Sequence, residues 1–219
     1  MAERLLTPSK ITAWLDCAHL LTLRHEVDNG LRDFSSSGFG EMARMLMQKG
    51  LDHEAAVLER YRSDGRDVFV VPQREERESF VSWVARVGDV LGAGHDVIFQ
   101  MPFVHDGIRG VADFLERVVD ATGVETYEPV DAKLARNEAK PGHVLQLCFY
   151  AEAIAALTGR MPERVHVELG SGRRESIRVD DVLAYWRRLR NGLAGLVAEP
   201  PTEPTVPIHC GHCEFCEFE

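Results

Sequence analysis

This 219-residue sequence has no basic surplus, no long apolar run and no secretory signal. Lysine and arginine together number 25 against 35 aspartates and glutamates, a formal charge of −10, so no global basic surface advertises a nucleic-acid or membrane binder. The acid excess is uneven: after residue 198 come Glu199, Glu203, Glu214, Glu217 and Glu219 with no Lys or Arg. The apolar run from 144 to 157 is interrupted by Gln146, Tyr150 and Glu152 and is too short and too polar to span a bilayer. The opening MAERLLTPSK lacks the apolar stretch and small-residue cleavage site of a signal peptide. A cytoplasmic chain with no membrane partner is therefore expected. The composition, 45% apolar and 27% charged, excludes wholesale disorder and collagen-like or disulfide-scaffold classes. In a reducing compartment, Cys17, Cys148, Cys210, Cys213 and Cys216 read as thiol or metal-ligand chemistry before disulfides.

Periodicity predicts one α/β domain over residues 1–198. Thr7, Pro8 and Ser9 start a helix in which Ile11, Trp14, Leu15, Ala18, Leu21 and His25 recur at helical spacing, with Cys17 inside it. After a Gly/Ser loop at 35–38, a second long helix from Met42 to Tyr61 is expected to bend near Gly50. A short strand at 67–71 and a helix at 75–91, with Phe80, Trp83, Val84, Val87 and Leu91 on one face, come next. Val97, Phe99, Met101 and Phe103 then alternate, and segments 108–119 and 125–134 complete a three-strand meander. A helix at 142–157, strands at 164–169 and 176–179 around a Gly-Ser-Gly turn, and a helix at 180–197 follow. Residues 199–208 read as a Pro-rich extended linker to a Cys-rich segment at 209–219.

The chemistry concentrates on the meander. Asp131 and Lys133 stand as D-x-K on one strand, so both project from the same face, and the neighbouring strand can bring Asp113 beside them. Two carboxylates of this kind suit Mg²⁺ or Mn²⁺, which favour hard oxygen donors; a nearby lysine can orient water or stabilise an oxyanion. Glu138-Ala139-Lys140 repeats the spacing but sits in a polar loop with no apolar strand leading into it. A surface ion-pair group is the competing reading of the three residues. Gln146 and Tyr150, four apart, share one face of the helix at 142–157 and read either as reaching the site or as ordinary core-edge residues. His53, beside Glu54, is either structural or a metal ligand.

In that order and on those elements, His53, Asp113, Asp131-x-Lys133 and Gln146-x-x-x-Tyr150 resemble the PD-(D/E)xK nuclease superfamily, in particular its RecB-like branch of CRISPR-adaptation and helicase-associated nucleases. The likeness extends to TPSKITAWLDCAHLLTLRH and to DAKLAR, and spans nearly the whole chain. It implies a restriction-endonuclease-like mixed β-sheet flanked by helices, with a Cys-rich C-terminal appendage. It implies a metal held by His53, Asp113, Asp131 and the Ala132 carbonyl, with Lys133 acting on the water and Gln146 and Tyr150 supporting the site. The activity implied is metal-dependent hydrolysis of DNA, on single strands or duplex ends. The alternative is a catalytically silent DNA-binding or assembly module of a larger helicase-nuclease protein.

Cys210, Cys213 and Cys216 form C-x-x-C-x-x-C, a spacing suited to a soft metal. A four-ligand site needs one more donor, and Cys17 is its natural source. Nucleases of the RecB-like branch with a [4Fe-4S] cluster have the same split arrangement, so the resemblance implies a cluster on Cys17, Cys210, Cys213 and Cys216. The alternatives are a Zn²⁺ site recruiting His209 or His212, or no metal at all on this stretch. The third cysteine departs from the usual spacing and the sequence stops three residues beyond it, so a longer parent protein, with a helicase domain or subunit as partner, is expected. Cys148 reads as a small buried residue.

Overall fold

A computed structural model describes residues 6–33, 41–119, 123–198, 205–211, 213, 216 and 218. The Gly/Ser loop at 35–38, linker residues 199–204, His212 and the five tail glutamates lie outside the described residues. The elements are α1 (Pro8–Asp16), α2 (His19–Asp28), α3 (Glu41–Ser63), β1 (Val68–Val70) and α4 (Phe80–Val87), which runs into a 3₁₀ turn. Then come β2 (Val97–His105), β3 (Ile108–Val119), β4 (Glu125–Lys133), α5 (Pro141–Thr158), β5 (Arg164–Leu169), β6 (Arg174–Arg178) and α6 (Val179–Ala198). The strands form one mixed sheet in sequential order. β2, β3 and β4 are the antiparallel meander, β1 joins β2 in parallel, β5 joins β4 in parallel, and β6 returns antiparallel. Asp106 and Gly107, both with positive φ (46° and 71°), make the tight β2–β3 turn. Among the described residues no helix is long and apolar enough to cross a membrane.

Helices flank both faces of the sheet, an α/β architecture. α5 is apolar all round because it is enclosed all round: its buried run from Leu147 to Ile154 packs on the sheet, α1 and α6. α3 covers the opposite face, where Val57 and Tyr61 meet Val97, Phe114 and Val130. Ile98 and Leu115, neighbours of Val97 and Phe114 in sequence, pack in the α5 cluster instead, as the strand pleat requires.

Three expectations are corrected. The N-terminal helix breaks at Cys17, whose extended backbone (φ −143°, ψ 98°) ends α1 and turns the chain, so that Leu20 becomes a buried position of α2. The fourth helix starts at Phe80 rather than 75, because the Ser79 hydroxyl accepts the Ser82 amide and caps it there. The alternation from 97 to 103 does not mark one face: Val97 and Phe99 pack toward α3, whereas Met101 and Phe103 pack toward α5. The switch occurs at Gln100, whose φ of +62° breaks the pleat. β3 switches at the facing rung, since Phe114 belongs to the α3 side and Ala112 and Ile108 to the other, with Asp113 between them. α3 itself runs through Gly50 as one helix.

The C-terminal half of α3 is tied down by charge. Arg174 of β6 donates to both oxygens of Glu116 at 2.7 Å, to the Tyr61 hydroxyl at 2.8 Å and to Glu168, while Arg60 donates to Glu168 at 2.6 Å. Burial alone would raise the Glu116 carboxyl, but hydrogen bonds from Arg174 and Tyr61 and the Arg174 charge hold it below its usual 4.5. Arg174→Ala removes the guanidinium from Glu116 and leaves Glu168 with Arg60, and is expected to cost about 3 kcal/mol, read as a lower urea midpoint at pH 7. A depressed carboxyl contributes stability that is present above its unfolded pKa and is lost as pH falls through the folded one. The wild-type protein should therefore lose stability below about pH 4.5, and the variant should lose less of it there; an unchanged acid limb would refute this assignment.

Candidate functional site

The pleat break at Gln100 and Asp113 lies where the meander leaves its regular ladder. Phe114 pairs with Val130 on β4, which sets Asp113 one step further along, opposite Asp131. The Asp113 Oδ2 accepts the Ala132 amide at 2.9 Å, so the β4 backbone itself holds this carboxylate in place. Asp131, only 5% exposed, is ion-paired with Lys133, whose Nζ lies 2.8 Å from Oδ1 and 2.7 Å from Oδ2.

Asp113, Ala132 and Lys133 line a solvent-open cleft of about 620 Å³ with Glu54 and Leu51 from α3 and His143 from the start of α5. Three carboxylates, Glu54, Asp113 and Asp131, act on one ammonium here. Burial raises the Asp113 carboxyl well above its ordinary value, and the Asp131 charge raises it further. Burial likewise raises Glu54 despite a hydrogen bond from Gln100. For Lys133 burial acts to lower the pKa, but the charges of Asp131 and Asp113 overcome it and raise the net value. Lys133 thus stays an ammonium at neutral pH, able to donate and to stabilise negative charge. His143 is pushed down by burial and by Lys133, leaving a neutral imidazole at the cleft wall.

The other expected site residues are placed as follows. The His53 Nε2 lies 3.1 Å from the carbonyl oxygen of Glu168, the residue that pairs with Ala132 across the β4–β5 ladder, and its neighbour Glu54 is the ionisable α3 residue lining the cleft. Gln146 and Tyr150 line a second, adjoining cleft of about 430 Å³. Gln146 Nε2 is 3.4 Å from the Thr12 hydroxyl, and the Tyr150 hydroxyl donates to the Val111 carbonyl at 2.7 Å. Tyr150 still feels the site, since its pKa is raised by burial first and then by Asp131 and Asp113. A Cβ on Gly110 would come within 2.8 Å of that hydroxyl, so glycine there is what admits the tyrosine. In the 134–140 loop, the Ala139 amide donates to Glu175 at 2.8 Å, while Lys140 borders the first cleft.

Cys17 ends α1, and the Cys-rich segment returns to the same end of the molecule. Thr205 Oγ1 lies 2.8 Å from His19 Nδ1 and 2.7 Å from the Thr22 hydroxyl, and the Arg24 guanidinium sits 5.4 Å from the centre of the Phe218 ring. Cys210 and Cys213 have sulfurs 4.0 Å apart, close to the spacing of about 3.8 Å that two thiolates take on one tetrahedral zinc. Cys148 is fully buried on α5, and burial pushes its thiol up to about 12. Among the described residues no three His, Cys, Asp or Glu side chains converge as a ready-made metal site, at the carboxylates or at the cysteines.

Sequence reasoning passed over Glu54, Gln100 and His143. A signal existed for Gln100, the one polar residue in the apolar run VIFQMPF, whereas choosing Glu54 over His53 required knowing how α3 is rotated. No family model matches the chain, and no curated protein matches it significantly.

The raised Asp113 carboxyl has a consequence for stability. The folded state holds this proton more tightly than the unfolded chain, so as pH rises above the unfolded value of 3.8 the group destabilises the fold. With chelator present, Asp113→Asn should raise the melting temperature at pH 7, and the gain should vanish below about pH 3.8, where aspartate is protonated in both states. A neutral or destabilising effect at pH 7 would refute the mutual repulsion of the two acids.

Proposed function

We propose that this chain is a metal-dependent deoxyribonuclease of the RecB-like PD-(D/E)xK kind. One observation carries the reading: Asp113 and Asp131 face each other beside the Lys133 ammonium, and Asp113, Lys133 and Glu54 of α3 line one open cleft. Such a surplus of hard, negatively charged oxygen donors suits Mg²⁺ or Mn²⁺. Asp113 and Asp131 would hold the ion with the Ala132 carbonyl. Glu54 is the α3 side chain nearest in role, ahead of His53, which is engaged at Glu168. When bound, the ion neutralises the carboxylates and lowers the pKa of its water. Lys133, kept protonated by Asp131 and Asp113, would donate to the developing negative charge at phosphorus. Tyr150 and the Asp113–Ala132 hydrogen bond would keep the acids in register. The mixed sheet with helices on both faces supports the same reading at the level of fold, and the substrate expected is a DNA single strand or duplex end.

The purified protein with Mn²⁺ should degrade single-stranded DNA. Lys133→Ala and Asp131→Asn should each lower kcat on the order of 10²–10³-fold; full activity in either would overturn the site. Mn²⁺ titrated by calorimetry should lose more affinity on Glu54→Ala than on His53→Ala, and the reverse order would restore the histidine as ligand. DNA bound but uncleaved after long incubation with Mn²⁺ would instead support a silent assembly module within a helicase-nuclease protein.

The cysteines belong to a second proposal: Cys17, Cys210, Cys213 and Cys216 share one metal, a [4Fe-4S] cluster or Zn²⁺, that clips the C-terminal segment to the α1–α2 junction. The Thr205 contacts with His19 and Thr22 support it. Anaerobic purification followed by iron, sulfide and zinc analysis should find one of the two, diminished in Cys17→Ser; a metal-free protein would overturn it.

A further inference from the structure

Most arginines of this acidic chain are spent on carboxylates, including Arg60, Arg66, Arg86, Arg117, Arg174 and Arg190. Two that are not, among the described residues, face the same cleft. Arg74 and Arg109 line the 430 Å³ space beside the carboxylate site, together with Phe80, Trp83, Gln146 and Tyr150. Arg109 lies over the Phe80 ring, 5.2 Å from its centre, and has no carboxylate within salt-bridge distance among the described residues. Arg74 feels the charge of Glu78, but Glu78 is taken by Arg86 through hydrogen bonds of 2.7 and 2.9 Å. Phe80 and Trp83 stand edge to face at 5.5 Å, and the Trp83 indole is fixed by its N–H donating to the Pro72 carbonyl at 2.9 Å. The hydroxyls of Thr7 and Ser9 complete the rim.

Two guanidiniums without a carboxylate partner among the described residues, a half-buried Phe80 ring braced by the buried Trp83, and an amide are the chemistry that holds a nucleic-acid strand: cations for phosphate, a π-system for a base, and polar donors for sugar and base edges. The cleft is also placed for it. Gly110 and Val111 line it two to three residues before Asp113 on β3, and Tyr150 forms part of its wall while its ionisation is influenced by Asp113 and Asp131. We infer that the Arg74–Arg109 cleft is a subsite for a phosphate and an adjacent base of a single DNA strand, flanking the phosphodiester at the carboxylates. This rests on the nuclease reading for its substrate. It adds what that reading lacks, a local cationic patch by which a chain of net charge −10 can grip DNA.

The test compares a single-stranded 12-mer with thymidine 5′-monophosphate p-nitrophenyl ester, a diester too small to reach both clefts, using Arg74→Gln, Arg109→Gln and the double variant in Mn²⁺. The ratio of kcat/KM for the oligonucleotide to that for the small ester should fall roughly tenfold or more in the double variant, mainly through KM. The salt dependence of oligonucleotide binding, read by fluorescence anisotropy with Ca²⁺ in place of Mn²⁺, should flatten by about 0.7 per arginine lost. Arg109→Lys should restore most of the slope. Equal losses on both substrates with an unchanged slope would overturn the subsite, because a structural role would affect both alike. If the wild-type protein cleaves neither substrate, the nuclease reading falls by itself. The binding slopes then decide the subsite: flattened in the variants, it stands; unchanged, it fails.

Discussion

At one rung of the central sheet, Gln100 on β2 and Asp113 on β3, two strands that remain in register exchange the faces to which their side chains point. A regular pleat would carry Asp113 into one of the two apolar clusters, where a carboxylate has no partner. The break instead aims it past the end of the β3–β4 ladder, where the Ala132 amide receives it and the cleft begins. A positive φ at a residue other than glycine is a strained conformation that persists only when its surroundings hold it; here Glu54 on α3 holds the Gln100 amide. The backbone irregularity, the helix above it and the two facing aspartates form a single unit.

That unit stores repulsion. Asp113, Asp131 and Glu54 are drawn together by packing of the apolar strands around them, and among the described residues Lys133 offsets their charge. The arrangement opposes the use of charge elsewhere in the molecule. Arg174 joins Glu116 and Glu168 under α3, and Arg187 and Arg190 meet Glu152 where α5 and α6 pack, each acid matched by a guanidinium. Where carboxylates serve the fold each meets a guanidinium of its own; at the cleft Glu54, Asp113 and Asp131 act on the one ammonium of Lys133. That contrast alters the meaning of the net charge. An acidic total describes the sum, whereas binding to a polyanion depends on where the unpaired cations are.

Much of the fold was legible because the residues that make it act locally. The two long strands of the meander and the helix after them emerge within a residue or two of where alternation and apolar density put them. The failures were of a different kind. Nothing in the residues around Cys17 marks a break, since the apolar positions on either side keep helical spacing. Val97, Phe99, Met101 and Phe103 alternate in sequence yet serve two cores, because one backbone dihedral at Gln100 reverses the faces. His53 and Glu54 are adjacent, and which of them reaches the acids depends on a helix rotation set by Val57 and Tyr61 packing on Phe114 and Val130.

The sequence by itself determined the strand carrying Asp131 and Lys133, because side chains two apart on a strand must share a face. It also determined the presence of a facing acid on the preceding strand and the cysteine spacing at the C-terminal end. Only the tertiary structure decided that Asp113 lies opposite Asp131, that Glu54 rather than His53 lines the cleft, and that Gln146 and Tyr150 face a second one beside Arg74 and Arg109. The physical reason is that periodicity states which residues can share a surface. Register, helix rotation and a single left-handed backbone conformation select which ones meet, and those are settled by packing between segments far apart in the chain.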